Sequence, residues 1–408
     1  MNSHPTPGAL ERWRQRFHSE LNDNVLPFWL EHSLDHQHGG YFNCLDRDGS
    51  VYDTTKHIWL QGREVWMFSK LHNATEASNT ARRGQLLAAA ELGARFLRQH
   101  ARRRDDGRVF FALTADGRPM QLQRKMFSEC FYVMALAEYA RASGDATART
   151  EAREVFAQVI RYAQDPSLVG RPVFAGNTPV SSLAVPMILL NLIAELKDPG
   201  ETTWAGLEQW CVDRIAPHVR PELGLVLETV SNEGTPMLDS SEGRLVNPGH
   251  AIEAGWFMME YAEKNNRHEL IDQSLKMIDW SLDFGWDKEF GGIYYFLDAK
   301  GFSPTQLEWD MKLWWPHCET LVALLMAYRV TGDPGYWRKF ETIADYTFDH
   351  FADTRFGEWF GYLNRRGEVS MRFKGGPYKG CFHVPRALFL CERELQRILS
   401  APALAQGA

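Results

Sequence analysis

The sequence predicts an all-α fold, an (α/α)6 barrel of six helix pairs with short β-hairpins at one end, and three observations predict it. A glycine-led hairpin pattern recurs at a spacing of about 68 residues. Between hairpins the chain reads as a strongly apolar helix followed by a more polar, amphipathic one. No Pro/Ser/Gly-rich linker or composition shift divides the 408 residues, so the repeats belong to one domain, residues 1–400, with 401–408 as a flexible C-terminal tail.

The hairpin pattern is a glycine, an apolar residue six places on, and a second glycine ten places on. Gly39, Leu45 and Gly49 fit it, as do Gly291, Leu297 and Gly301, and Gly357, Leu363 and Gly367. Weaker copies fall at Gly107, Leu113 and Gly117, and at Gly224, Val230 and Gly234. Aromatic and β-branched residues flank an Asp, Asn or Gly turn in each, the signature of two short strands. Successive intervals are 68, 117, 67 and 66 residues, so the long gap hides a degenerate copy, placed around GRPVFAGN (170–177). Helices fill the rest. FSECFYVMALAEYARA (127–142), GHAIEAGWFMMEYAEK (249–264) and HCETLVALLMAYRVTG (317–332) carry apolar residues at three and four spacings, and polar segments such as TARTEAREVFAQVIRYA (147–163) follow them. A buried helix and a half-exposed one, six times over, describe an inner and an outer ring; an open helical solenoid shares the same unit logic and stays as the alternative.

Composition narrows the function. A net charge of −7 and a pI near 6.1 give no basic face for nucleic acid or anionic membrane. The N-terminus lacks the apolar core of a signal peptide, and the longest apolar stretch, LAVPMILLNLIAEL (183–196), is too short to span a bilayer. Six cysteines without paired spacing point to a reduced, cytoplasmic setting. The 14 tryptophans supply core and suit a cleft that stacks on sugar rings.

Three histidines occupy one register of the repeat. His250, His317 and His383 each lie 26 residues after the hairpin glycines Gly224, Gly291 and Gly357, at the start of an apolar helix. A single histidine in such a place is most often a packing residue; three in one register argue for a shared site at the barrel mouth, for proton transfer or metal binding. Arg63 stands near the same position of the first unit, and Glu253 and Glu319 lie within a turn of His250 and His317. A three-histidine metal site is the first rival, although no close-spaced ligand pair or zinc motif accompanies it. Glycoside hydrolysis by Glu253 and Glu319 is the second, and it leaves the histidines unexplained. No P-loop, dinucleotide fingerprint or nucleophile elbow is present.

Longer motifs then add a resemblance. WLQGREVWM (59–67), LAVPMILLNL (183–192), EGRLVNPGHAIEAGWF (242–257), PTQLEWDMKLWWPHCE (304–319), GEWFGYLNRRGEV (357–369) and KGGPYKGCFHVPR (374–386) resemble the N-acylglucosamine 2-epimerase family over nearly the whole chain. The resemblance implies an (α/α)6 fold, a homodimer, and interconversion of N-acetylglucosamine and N-acetylmannosamine in sialic-acid metabolism. Cellobiose 2-epimerases and mannose isomerases share the barrel, so those activities remain alternatives, as does a non-catalytic sugar- or protein-binding barrel. Residue by residue, it makes His250 and His383 an acid/base pair acting on carbon 2 of the open-chain sugar, with Arg63 and Glu319 as essential support. Trp59, Glu242, Glu253, Trp315 and His317 become the candidates for sugar contact, His317 as a neighbour of Glu319. No metal or redox cofactor is required. The family's activation by ATP goes with a lysine-containing loop ahead of LAVPM; here that loop, QDPSLVGRPVFAGNTPVSS (164–182), contains no lysine, which departs from the pattern.

Overall fold

A computed structural model describes residues 4–170 and 174–401. The chain opens with α1 (Pro7–Ser19), which passes through a wide π-helical turn (Glu20–Val25) into α2 (Leu26–His32). Pro27 has no N–H to donate to a carbonyl one turn back, which accounts for the loosened turn before it. Then come α3 (Ile58–Ala74), α4 (Thr80–His100), α5 (Phe127–Ser143), α6 (Ala146–Gln164), α7 (Ala184–Leu196) and α8 (Ala205–Ile215). The last five are α9 (Pro248–Lys264), α10 (Glu269–Gly285), α11 (Trp314–Thr331), α12 (Pro334–Phe351) and α13 (His383–Ser400).

Burial sorts these helices into two rings. Every residue of α11 from Trp314 to Tyr328 is buried, as is α5 from Ser128 to Ala140, so these helices are wrapped on all sides. In α6, α10 and α12 only one face is buried, the pattern of a helix lying over a core. Thus α3, α5, α7, α9, α11 and α13 form the inner ring, and the outer helices pack on them pairwise, α1 covering α13. Two inner-to-outer corners are cut the same way. Gly144 and Gly332 end α5 and α11 in the left-handed conformation, and the next residue, Asp145 or Asp333, caps the following helix through its carboxylate.

The hairpins confirm the repeat register. All ten glycines of the five copies have φ between +60° and +88°, a region other residues avoid, so the sequence pattern marks turns that require glycine. Three of the linkers leading into inner helices also pair with a neighbouring hairpin: Lys56–His57 with Ala112–Leu113, Leu245–Val246 with Leu297–Asp298, and Lys312–Leu313 with Tyr362–Leu363. The circuit closes where Lys374 N–H donates to Leu45 O and Leu45 N–H to Gly375 O. Phe382, just before α13, packs edge-on against Trp66 of α3. The last unit therefore meets the first, and the architecture is a closed (α/α)6 barrel, not an open solenoid. Among the described residues the third unit shows no hairpin of its own. A 3-10 turn (Pro166–Val169) and the strand Val180–Ser182, paired with Thr229–Ser231, take its place; residues 171–173 of the expected degenerate copy and 402–408 of the expected tail lie outside the described residues.

Three buried ion pairs fasten this end. Lys56, Lys312 and Lys374 are fully buried, 2.7, 3.0 and 3.0 Å from Asp35, Asp287 and Asp353. Each aspartate stands four residues before a hairpin glycine and also accepts N–H groups of its own loop. Burial pulls Lys312 and Lys374 down to about 8, and the facing carboxylates keep them charged at neutral pH. The mouth is thus built from rigidly held turns.

Candidate active site

Charged side chains collect where the inner helices begin. Arg63, Glu253 and Glu319 are each the sixth residue of their helices, α3, α9 and α11, and so stand at one level of the barrel. Arg386 of α13 joins them. Its Nη2 donates to Glu253 Oε1 at 2.7 Å and to Glu319 Oε1 at 2.6 Å, and Glu319 Oε2 accepts from Trp256 Nε1 at 3.0 Å. Glu253, Glu319 and His383 also have oxygen and nitrogen atoms within 4.8 Å of one another, spacing suited to a metal ion. The guanidinium of Arg386 already spans the two carboxylates and supplies the countercharge there.

Two of the three register histidines reach this cluster. His250 lies three residues before Glu253, and His383 three before Arg386, so each shares a helix face with an inward charge. Asn247 caps α9 by accepting the His250 N–H. His250 Nδ1 donates to Glu228, whose carboxylate oxygens lie 3.0 and 3.2 Å away. His383 Nδ1 donates to Glu319 Oε1 at 2.7 Å. Both Nδ1 atoms being engaged by carboxylates, each imidazole is left with Nε2, which has no hydrogen-bond partner among the described residues. Trp315 packs near both rings, its centroid 5.2 Å from that of His250 and 5.9 Å from that of His383. Gly249 makes room for it: a Cβ there would stand 2.5 Å from the indole.

The two imidazoles are electrostatically unlike. Burial works against a charged His250, but the charge and hydrogen bond of Glu228, with help from Glu253, outweigh it and leave the pKa raised. Burial also acts on His383, and there the Arg386 and Arg63 cations add to it, holding the ring well below the usual range. Paired groups pushed apart in this way are what acid/base division of labour needs.

Arg63 feels the charge of Glu253 and Glu319 but touches neither. Among the described residues its guanidinium has no hydrogen bond or ion pair, its Nε is buried and unsatisfied, and it lies 3.9 Å from the Phe131 ring centroid with Trp59 and Phe382 alongside. Gly62 permits this close fit of α3 on α5, since a Cβ there would meet the Phe131 carbonyl at 2.4 Å. Burial lowers Arg63 to about 9, still charged at neutral pH. Trp59, one turn back on the same face, donates its Nε1–H to Pro377 O and packs edge-on against Phe111 and Tyr378 at the rim.

His317 and Glu242 do not join the cluster. His317 precedes Glu319 by two residues, which turns it roughly 200° around the helix from that carboxylate. It is fully buried, donates from Nδ1 to Leu313 O, accepts the Ile293 N–H at Nε2, and stacks on Tyr346 of α12. Both nitrogens are spent on the scaffold, and burial depresses its pKa to about 3. This corrects the register reading of a three-histidine ring and removes the three-histidine metal rival. Replacing His317 with leucine is expected to lower the melting temperature, because the Ile293 N–H and Leu313 C=O lose their partner, while kcat and KM stay within about twofold. Glu242 is exposed on a turn, and none of its side-chain atoms bonds to the cluster. The carboxylate beside His250 is Glu228, which the sequence reading missed along with Arg386. A signal for Glu228 existed: it stands four places after Gly224, and the residues four places after Gly107 and Gly291 are Phe111 and Tyr295, which pack against Trp59 and Trp315.

Comparison with known proteins agrees with this geometry. Residues 40–387 match the family model described as N-acylglucosamine 2-epimerase (GlcNAc 2-epimerase). The chain is 48% identical over 404 residues to the N-acylglucosamine 2-epimerase of Homo sapiens, covering 97% of this chain and 93% of that one. It is 47% identical over 407 residues to that of Mus musculus, covering 97% and 95%. The solved cellobiose 2-epimerase of Spirochaeta thermophila superposes with a TM-score of 0.81 at 24% identity, covering 96% of this chain and 98% of that one, and shares the fold. Among the described residues no helix is long and apolar enough to cross a membrane. With the closed barrel, the paired histidines and these relatives together, the chain belongs to the N-acylglucosamine 2-epimerase family.

Proposed function

We propose that the protein interconverts N-acetyl-D-glucosamine and N-acetyl-D-mannosamine by moving the proton on carbon 2. The observation that carries this reading is the pair of imidazoles on different helices, each with Nδ1 tied to a carboxylate and Nε2 without a hydrogen-bond partner among the described residues, and both close to Trp315. Inversion at a carbon needs a base on one face and an acid on the other, and two histidines with divergent pKa values supply both near neutrality.

The C2 hydrogen is acidic only when carbon 1 is a free carbonyl, so the pyranose ring opens first. One Nε2 then takes the proton, and the C–H electron pair moves into an enolate whose charge gathers on O1. Arg63, a buried cation with no direct ion pair among the described residues, is suited to that oxygen, in a setting where preorganised charge counts most. The other Nε2–H delivers its proton to the opposite face. Glu228 and Glu319 hold each ring in the tautomer that presents Nε2, and Arg386 keeps Glu253 and Glu319 together. Trp59 and Trp315 offer apolar faces to the sugar. No step calls on a metal, a redox group or ATP.

The acetamido substrate also fits the chemistry of the intermediate. A sugar with a free 2-hydroxyl passes through an enediol that can collapse to a ketose, whereas a 2-acetamido sugar returns only to an aldose. We assign the enzyme to the cytoplasm, as a homodimer feeding or draining sialic-acid metabolism; its six cysteines, all free and buried, suit a reducing compartment. Product analysis tests the substrate. N-acetylmannosamine is expected to give N-acetylglucosamine with no ketose, and to be turned over at least tenfold better in kcat/KM than mannose or cellobiose. Preference for either of the latter moves the enzyme to a neighbouring branch, and no turnover of any leaves a binding protein.

A further inference from the structure

We infer that Glu228 is a positioning residue that fixes where the site's single catalytic proton rests, on His250 and not on His383. The inference builds on the two-histidine reading above and adds an order to the pair. Both rings sit against a glutamate, yet the two glutamates are not equivalent. Glu319 is shared: its Oε1 takes the Arg386 guanidinium as well as His383, and its Oε2 takes Trp256. Its negative charge is therefore answered before His383 is considered, and Arg386 itself lies 3.4 Å from the His383 Nδ1. Glu228 has no other side-chain partner among the described residues and turns both oxygens to His250. Its backbone is pinned, with its N–H donating to Leu245 O and its C=O accepting from Leu183 N–H, so the carboxylate is held by the hairpin and does not follow the helix.

The remaining groups around His250 point the same way. Glu253 on its own helix adds negative charge, Trp315 from α11 is uncharged, and His383 is the facing residue of α13. Around His383 stand Arg386 and Arg63, both cations, which outweigh the opposing charge of Glu253, while the Glu319 carboxylate is shared with Arg386. Moving the proton from His250 to His383 would separate it from a dedicated carboxylate and place it beside two positive charges.

Turnover makes that arrangement consequential. When His383 Nε2 takes the C2 proton and His250 Nε2–H gives up its own, the C–H electron pair passes into the enolate and back into the new C–H bond. The site then holds a neutral His250 and a charged His383, the arrangement Glu228 opposes. It resets when solvent water takes the proton from His383 and returns one to His250. The epimer that reacts in the opposite sense uses the same one-proton site in its less populated form. Both directions therefore share the same pH limits, the acid limb set by His383 and the alkaline limb by His250.

The test is the pH dependence of kcat/KM in both directions for the parent, Glu228→Gln and Glu228→Asp. The parent is expected to show the same two limbs with either sugar. Glu228→Gln, which keeps the shape and removes the charge, is expected to move the alkaline limb down by about 1–3 units and leave the acid limb in place, with Glu228→Asp between the two. A uniform loss of rate with both limbs unmoved overturns the proposal. Substrate-free titration of the imidazole nitrogens by 15N NMR, assigned with His250→Asn and His383→Asn, gives a reading that needs no activity. His250 is expected to titrate above about 6.5 and His383 below it; the opposite order overturns the assignment even in an active enzyme, and the expected order in a protein that turns over no sugar would count against the epimerase reading alone.

Discussion

His250→Asn and His383→Asn each lower the rate of inversion at carbon 2 by about 100- to 10,000-fold, the usual worth of a placed acid or base. Asparagine is the informative replacement because its amide N–H can still reach Glu228 or Glu319, so the surrounding hydrogen bonds keep a donor while the proton-transferring nitrogen is lost. The two variants are not expected to be equally inert. With His250 gone, His383 can still remove a C2 proton and return a solvent proton to the same face. Each single variant should therefore exchange the C2 hydrogen of one epimer only, without inverting it, and the two variants should choose opposite epimers. Exchange of both epimers by one variant would mean that a third group reaches carbon 2.

Arg63→Met and Arg386→Met separate a cation that works on the substrate from one that holds the site together. Among the described residues Arg63 makes no hydrogen bond or ion pair, and it lies against Phe131, Trp59 and Phe382, so methionine replaces a buried charge that lacks a direct partner by an apolar chain. The expected outcome is a melting temperature unchanged or raised, with kcat down by about 100- to 1,000-fold from loss of oxyanion stabilisation. Arg386 is the reverse case. Removing it leaves Glu253 and Glu319 side by side with no cation between them, and breaking a buried pair of this kind costs about 3–5 kcal/mol. Thermal melts run beside kinetics decide the matter: equal destabilisation by both substitutions would contradict the division of roles.

Much of the architecture was written in the spacing of glycines. Positive φ at each repeat position ties the hairpin pattern to a backbone demand, so the register could be read directly from residue types. Closure could not, because it depends on Leu45 meeting Lys374 and Gly375, residues some 330 positions apart with no local mark of their pairing. The site was legible in part for a related reason. His250 and His383 stand three residues from an inward charge, while His317 stands two from Glu319; counting from the hairpin glycine equates them, and counting around the helix does not. Glu228 stayed hidden because it comes from a hairpin and not from an inner helix, and Arg386 because a buried arginine is recognised only by the carboxylates it bridges. The buried Lys56, Lys312 and Lys374 were hidden likewise, since lysine in a sequence reads as surface.

The central claim is that two histidines act on opposite faces of one carbon, and turnover in heavy water measures it directly. At low conversion of N-acetylmannosamine, the N-acetylglucosamine formed should carry one deuterium at carbon 2, because its new hydrogen comes from a base that exchanged with solvent, while the recovered N-acetylmannosamine should carry almost none. Deuterium appearing in recovered substrate as fast as in product would show one base serving both faces, and product without deuterium would show that the hydrogen never leaves the sugar for an exchangeable base; either result contradicts the two-histidine mechanism.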